Sequence, residues 1–438
     1  MTIHGRAGNT LTTAGRSRVA GRSSNIVGEV GWSLLGVVVA SLAQWVVIVI
    51  LARYGNPSMV GQYALGLAVG APVCLLAGLA LRTVQVTDAQ SRFSFDDYLR
   101  LRVLGMSIAT VMIAVIAVFV GSTGAVVVML VGIAKALDGV GEIFLGLFQR
   151  HQRMRNVGLS MMVNGVVTVL AVTALLALTG NVVWTVLGSV AGSAVGSIAY
   201  CVAAARPLLR NAGPAGRPVG NDTWQATRGR LTNLTMVALP LGVASGIVSF
   251  TTNVPRYLVG NRLGTAALGV FAAIGYVLLA ANTVFIAVSQ TMLPRMADLY
   301  ANDRVTALTL LIKRLVLATL GLGGLAVGAA AVLGRPALDL IYGEPYARHA
   351  SVLTLFTVVA AISGAVFILG TALSALHRFG NQFTASVATL LLTGAAGYLL
   401  IPRYGLDGAA WTVVLTMAAD GVLKALMLRR ALKGRPWT

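Results

Sequence analysis

The sequence predicts an all-α, polytopic membrane protein: twelve transmembrane helices in two six-helix bundles around a central cavity. Three observations predict it. The 438 residues are 57% hydrophobic and 11% charged, with mean hydropathy +0.83, whereas a soluble domain carries about 25% charged residues. The apolar residues gather into twelve runs of roughly 20–25 residues, each long enough to cross a bilayer core. The basic residues fall preferentially into alternate connections between those runs. Together these exclude a large soluble catalytic domain, a disulfide-stapled secreted module and a nucleic-acid partner. The net charge of +20 is that of a membrane protein sorting its arginines by side.

Residues 1–27 form a basic segment with Arg6, Arg16, Arg18 and Arg22 and no acid before Glu29, expected to be a disordered cytoplasmic tail. The first span follows at 31–52. Ala40-Ser41-Leu42-Ala43 resembles a signal-peptidase site, but the apolar run continues past it to Ala52-Arg53, which favours an uncleaved helix. Further spans are placed at 61–82, 99–120, 125–148, 158–179 and 184–204, completing a lobe over 28–205. A polar connection, 206–230, contains Gly213-Pro214, Pro218 and Gly220-Asn221 and reads as a cytoplasmic linker. The second lobe, 231–429, holds spans at 232–254, 267–289, 309–333, 350–374, 382–402 and 408–428, followed by a short cytoplasmic tail, 430–438. None of the runs alternates with period two, which disfavours an outer-membrane barrel.

Orientation follows from counting. With the N-terminus inside, 26 of the 33 Lys and Arg lie on the cytoplasmic side, six on the other, and Lys135 within the fourth span. That asymmetry supports cytoplasmic N- and C-termini and an even number of spans. An internal repeat accompanies it. Arg53-Tyr54, Gly61 and Ala64-Leu65-Gly66 recur as Arg256-Tyr257, Gly264 and Ala267-Leu268-Gly269 at an offset of 203, while a competing register pairs Gly61-Gln62-Tyr63-Ala64 with Gly269-Val270-Phe271-Ala272. Either implies two lobes about a pseudo-two-fold axis.

Soluble-enzyme motifs are missing. There is no Walker A sequence and no His-Glu-x-x-His. Gly321-Leu322-Gly323-Gly324 lies inside the ninth span and reads as helix packing. Cys74 and Cys201 lie in apolar runs without metal-ligand spacing. Asp96-Asp97 follows Ser94 in the pattern of a capping box at the start of the third span. No cofactor, no metal site and no enzymatic activity are expected. The richest exterior connection, Arg335 to His349 with Asp339, Glu344 and Arg348, is thin for a glycosyltransferase or hydrolase, and a membrane-embedded glycan polymerase or ligase, the second alternative, would need a larger outer loop bearing catalytic groups.

Polar residues at membrane depth carry the functional signal, because a charge at the bilayer centre costs about 2.5–3.5 kcal/mol on insertion scales. Lys135, Asp138 and Glu142 are spaced three and four apart in the fourth span, placing them on one helical stripe. Asp420 and Lys424 share a face of the twelfth. Asp138, Glu142 and Asp420 are the ion-coupling candidates. Arg53, Lys135 and Arg256 are the candidates for a substrate phosphate, because guanidinium grips phosphate through a bidentate fork. Gln44, Asn164, Asn253 and Asn282 are the uncharged cavity candidates. Lys135–Asp138 and Asp420–Lys424 also admit a plainer reading as self-neutralising pairs, and Arg53 and Arg256 as interfacial anchors. Trp32, Trp184 and Trp411 sit at span ends as belt residues do.

Several segments resemble a known family. Leu51-Ala52-Arg53-Tyr54-Gly55-Asn56-Pro57 through Gly61-Gln62-Tyr63-Ala64, and Gly146-Leu147-Phe148-Gln149-Arg150 with Arg153, are similar to landmarks of the polysaccharide flippases. So are Leu239-Pro240, Pro255-Arg256-Tyr257, Leu268-Gly269-Val270-Phe271 and Leu293-Pro294-Arg295. That family belongs to the multidrug/oligosaccharidyl-lipid/polysaccharide exporter superfamily. The resemblance implies a flippase in a bacterial plasma membrane that turns polyprenyl-diphosphate-linked oligosaccharide to the outer leaflet by alternating access, for surface polysaccharide biosynthesis. It also implies coupling to H⁺ or Na⁺, contact with membrane lipids, and a glycan polymerase or other assembly proteins as partners. A cation-coupled multidrug antiporter of the same superfamily is the first alternative. The sequence departs from the expected cationic cavity, because its span interiors hold as many acids as bases.

Overall fold

In the computed structural model, which describes residues 12–88, 90, 92–211, 224–376 and 379–433, the chain is helical nearly throughout. The elements are α1 (Thr12–Tyr54), α2 (Pro57–Ala77), α3 (Leu81–Thr87), α4 (Phe95–Val118), α5 (Ser122–Arg150), α6 (Met154–Thr179) and α7 (Val182–Gly192). A π-helical stretch, Ser193–Tyr200, leads into α8 (Cys201–Asn211). After it come α9 (Trp224–Leu263), α10 (Thr265–Ala301), α11 (Val305–Tyr342), α12 (Glu344–Ala347), α13 (Ala350–Ala375) and α14 (Phe379–Lys433).

Eleven of these segments among the described residues are long and apolar enough to cross a membrane, so the chain is a multi-pass membrane protein. The last, Thr384–Leu432, spans 49 residues, roughly 70 Å of straight helix against a core of about 30 Å. It is in fact two crossings. Gly405 leaves helical geometry at φ 58°, ψ −131°, and a Cβ on Gly397 would stand 3.6 Å from Thr412 Cγ2, as in a hairpin. The twelve expected crossings are therefore accounted for.

The structure departs from the sequence reading at the second span, and parts of the expected tails and linker lie outside the described residues. Helix α1 begins at Thr12, inside the segment expected to be a disordered tail, of which residues 1–11 lie outside the described residues. Of the linker over 206–230, residues 212–223 lie outside them, as do 434–438 of the C-terminal tail. The second span is not continuous: it stops at Gly78, and Leu79 and Ala80 take left-handed conformations (φ 52° and 48°) before α3 starts. The expected capping box is present, with Ser94 Oγ accepting from the Asp97 N–H at 3.2 Å and Asp97 accepting from the Ser94 N–H at 3.1 Å.

In the first lobe α1 packs on α6, α6 on α7, and α5 on α2, α4 and α7. In the second, α13 packs on α10, α11 and α14. The lobes meet where α2 approaches α9 and α10. Arg53, Arg262, Arg335 and Arg348 mark one face of the bundle, and the opposite, more basic face carries Arg82, Arg100, Arg150 and Arg295. Away from the basic face the seam is shut by one hydrophobic core with residues from both lobes, among them Ile48, Leu51, Tyr63, Leu268, Phe271 and Tyr342. Helix α9 follows the first lobe along its length: the Tyr257 hydroxyl donates to the Ala68 carbonyl, and Arg230 Nε lies 3.4 Å from Asp97 Oδ1. Helix α1 reaches the second lobe through its last third, at Trp45 and Arg53.

Candidate functional site

The polar stripe of the fourth span lies on α5. Lys135 Nζ donates to Asp138 Oδ2 at 3.0 Å. The other carboxylate oxygen accepts two hydrogen bonds, from Asn164 Nδ2 on α6 at 2.8 Å and from Ser197 Oγ at 2.9 Å. Thr168 Oγ1 donates to Asn164 Oδ1 at 3.3 Å. The packing that delivers Ser197 is written in the sixth span, where Gly188, Gly192 and Gly196 recur every fourth residue. They rest against Val172, Thr168 and Asn164 of α6, where a Cβ would collide. Small residues at this spacing let helix backbones close on each other. Their neighbours Ser189, Ser193 and Ser197 face the same cavity as Asp138. The π-helical stretch begins at Ser193, and such widened turns occur frequently at functional sites.

Gln44, Lys135, Asp138, Glu142 and Asn164 line one cavity of 270 Å³ with Tyr63 and Arg82. Gln44 lies against Tyr276 of α10, close to Tyr63, Lys135 and Arg256. Arg256 Nη1 donates to Asn253 Oδ1 at 2.9 Å, so these two candidates stand together on α9. Asn282 accepts from Ser363 Oγ at 3.3 Å, and Lys424 donates to Asp420 at 2.8 Å. Both of these contacts belong to the second lobe and stand apart from the α5 network.

Two placements change how the sequence candidates read. Glu142, which sequence reasoning leaves without a partner, lies 3.6 Å from Arg102 Nη2 of α4. Arg102 is 3% exposed and the Glu142 side chain 43%, so the acid faces the cavities and the base stands behind it. The break in α2 makes room: a Cβ on Gly78 would strike Arg102 Nη1. A second cavity, of 470 Å³, lies between the first lobe and α9 and is lined by Arg82, Thr83, Glu142, Gln149 and Ser245. Glu142 and Arg82 thus belong to both cavities. Arg53, by contrast, lies on neither. Its guanidinium donates to the carbonyls of Asp339, Leu340 and Ile341 at the end of α11, where the helix dipole favours a cation.

Sequence reasoning missed Arg82 and Arg102 because both count as arginines near a basic membrane face, and nothing local separates a topology signal from a buried charge. The serine partners were detectable as Ser189, Ser193 and Ser197 at four-residue spacing. Outside the spans, Arg348 Nε and Nη2 hold both carboxylate oxygens of Glu344 at 2.9 and 3.0 Å. These bonds keep the Glu344 carboxyl below its ordinary pKa.

Comparison with known proteins places this arrangement. A family described as polysaccharide biosynthesis protein matches residues 26–300. The chain belongs to that family. It is 24% identical over 394 residues to the capsular polysaccharide biosynthesis protein CapF of Staphylococcus aureus, covering 86% of this chain and 93% of that one. Its fold resembles those of solved membrane transporters. An inward-facing multidrug resistance MATE family transporter superposes with TM-score 0.70 at 11% identity, over 92% of this chain and all of that one. The lipid II flippase MurJ, in an inward closed conformation, gives TM-score 0.69 at 10% identity, over 90% and 86% of the two chains. In this member of the polysaccharide biosynthesis family, Gln44, Lys135, Asp138, Glu142 and Asn164 lie together between helices.

Proposed function

We propose that this family member flips a polyprenyl-diphosphate-linked oligosaccharide from the inner to the outer leaflet of a bacterial plasma membrane by alternating access, coupled to an ion gradient. The observation that carries the proposal is the contrast between the two ends of the lobe interface. A polar cavity bearing Arg82, Glu142 and Gln149 lies toward the basic face, while a continuous hydrophobic core joins the lobes toward the other. With the basic face cytoplasmic, as the positive-inside asymmetry supports, this is an arrangement poised to take substrate from inside. Both termini then lie in the cytoplasm.

The residues divide by role. Arg82 supplies positive charge to the diphosphate from the cavity wall, with Arg102 behind Glu142 and Arg256 beside Tyr276 as further cations, while Gln44 and Gln149 offer polar lining to the sugars. Glu142 is the coupling acid, because it alone of the three sequence candidates is without a lysine one turn away. Asp138 and Asp420 are each held by such a lysine. The polyprenyl chain remains in lipid on the α1 side, where the lobes meet through the last third of that helix.

Deleting the gene and measuring surface polysaccharide and lipid-linked repeat units tests this reading. A flippase leaves complete units accumulated in the cytoplasmic leaflet and no surface glycan. A polymerase leaves single repeat units on the surface, which would overturn the proposal. The likeness to a multidrug transporter structure supports a second reading as a cation-coupled antiporter. In that case surface glycan is unchanged on deletion, and sensitivity to cationic compounds rises instead.

A further inference from the structure

Arg102 of α4 is 3% exposed and yet incompletely paired. Its Nη1 is turned to the break in α2, where a Cβ on Gly78 would strike it. The other edge of the guanidinium, Nε and Nη2, carries two parallel N–H groups, the fork that grips a carboxylate or phosphate through two oxygens. Both atoms are buried, and neither has a hydrogen-bond partner among the described residues. Glu142 Oε2 lies 3.6 Å from Nη2, close enough to neutralise the charge but too far for a hydrogen bond. A pair that only stabilises the bundle gains by closing that gap, because a guanidinium cannot shed its proton and unmade hydrogen bonds in the interior are costly. Here the gap stays open. The Glu142 side chain is 43% exposed and lines both cavities, so it stands between the fork and the space a substrate enters. The other charged groups on those walls are engaged differently: Arg82 donates to Gln149 Oε1 at 3.4 Å, and Lys135 and Asp138 hold each other.

The geometry points to Arg102 as a concealed ligand for the lipid-linked diphosphate, with Glu142 as its lid. When Glu142 gives up the cation, a phosphate takes the Nε–Nη2 fork. The exchange replaces one anion by another, so the buried cation is never left alone, which is the costly state for such a pair. This inference deepens the transport reading and rests on it for the identity of the anion. It gives the coupling acid a definite task, to hold the fork until substrate arrives.

The test is binding of farnesyl diphosphate to the purified full-length protein in detergent, measured by isothermal titration calorimetry, with a short-chain phosphatidylglycerol as second probe. Glu142→Gln should bind farnesyl diphosphate roughly tenfold tighter than wild type, the change expected when charge-assisted hydrogen bonds form without a competing anion. Glu142→Gln combined with Arg102→Lys keeps the net charge but removes the fork, and should lose that gain. If this double variant unfolds, Glu142→Gln with Arg102→Gln, which leaves neither charge, is measured in its place and should lose the gain as well. Equal affinity of wild type and Glu142→Gln overturns the proposal. A gain that survives substitution of Arg102 does so too, because charge alone or Arg82 would then account for it. Phosphatidylglycerol, a diester with a single charge, should gain less, and an equal or larger gain overturns the assignment to a diphosphate. Binding needs neither glycan nor transport, so the two readings fail separately. Unchanged surface glycan on gene deletion, with the affinity gain intact, overturns the flippase reading and supports the fork; a flippase phenotype without the gain does the reverse.

Discussion

Gly61 of α2 and Gly269 of α10 face each other across the lobe interface in reciprocal contact. A Cβ on Gly61 would strike the carbonyl of Thr265, and a Cβ on Gly269 would strike the carbonyl of Pro57. Residues 57 and 61 thus exchange places with 265 and 269, a constant offset of 208. This is an isologous contact on a pseudo-two-fold axis, and it selects the second of the two repeat registers that the sequence offers. The closeness of the backbones depends on both glycines.

Gly61→Leu or Gly269→Leu should therefore force α2 and α10 apart. Overpacking of this kind costs about 1–3 kcal/mol, which biases a two-state equilibrium by roughly 5–150-fold. With Cys74 and Cys201 replaced by Ala, a Ser58→Cys reporter should react faster with a membrane-impermeant maleimide added from outside when either leucine is present. Ser58 lies at this seam, its hydroxyl 3.0 Å from that of Thr265. Unchanged labelling would mean that the glycine pair does not hold that face shut.

Arg102 and Glu142 give the second prediction. Removing Glu142 leaves a buried guanidinium whose Nε already has no hydrogen-bond partner. Breaking a fully enclosed pair costs about 3–5 kcal/mol, and the partial exposure of Glu142 lowers that to about 1–3 kcal/mol. Glu142→Gln should accumulate normally in the membrane and abolish glycan export. Arg102→Gln should lower the melting temperature, and the double variant should melt closer to wild type than Arg102→Gln alone. Normal surface polysaccharide in Glu142→Gln removes it from coupling.

How much of this was legible in the sequence depends on whether the signal was periodic or tertiary. The twelve crossings could be read because hydrocarbon demands long apolar runs, and the α5 stripe because a 3.6-residue repeat places Lys135, Asp138 and Glu142 together. Asn164 and Gln44 could be named as polar residues at depth without knowing that they share a cavity. The burial of Arg102 could not be read, because the break at Gly78 that admits it arises from Leu79 and Ala80 in left-handed backbone, which neither residue favours locally. Hydropathy also ends helices where lipid ends, so it missed the continuation of α10 to Ala301.

The Asp138 network predicts unequal costs for its two neutral donors. Asn164 bridges Asp138, Ser197 and Thr168, whereas Ser197 holds the carboxylate through a single hydroxyl. Leaving a buried polar group unsatisfied costs about 1–3 kcal/mol. Asn164→Ala should fall at the upper end, because it strands Thr168 as well, and Ser197→Ala at the lower. Denaturation of the purified protein with and without each substitution decides the order.

Arg53 and Arg256 separate a clasp from a binding residue. Sequence pairs them as equivalent arginines closing the first span of each lobe, but their surroundings differ. Arg53 is exposed and caps α11 of the opposite lobe, an interaction worth about 0.3–1 kcal/mol at such a surface. Arg256 is held by Asn253 on the wall facing Tyr276, where charge acts in a medium poorer in water than the surface. Arg53→Ala should leave export within about twofold of wild type, consistent with loss of less than 1 kcal/mol, and should lower the melting temperature slightly. Arg256→Ala should abolish export at normal abundance, and Arg256→Lys should restore only part of it, since an ammonium lacks the bidentate fork that suits a phosphate. Full export in Arg256→Ala would reduce that residue to an anchor and shift the diphosphate to Arg82 and Arg102.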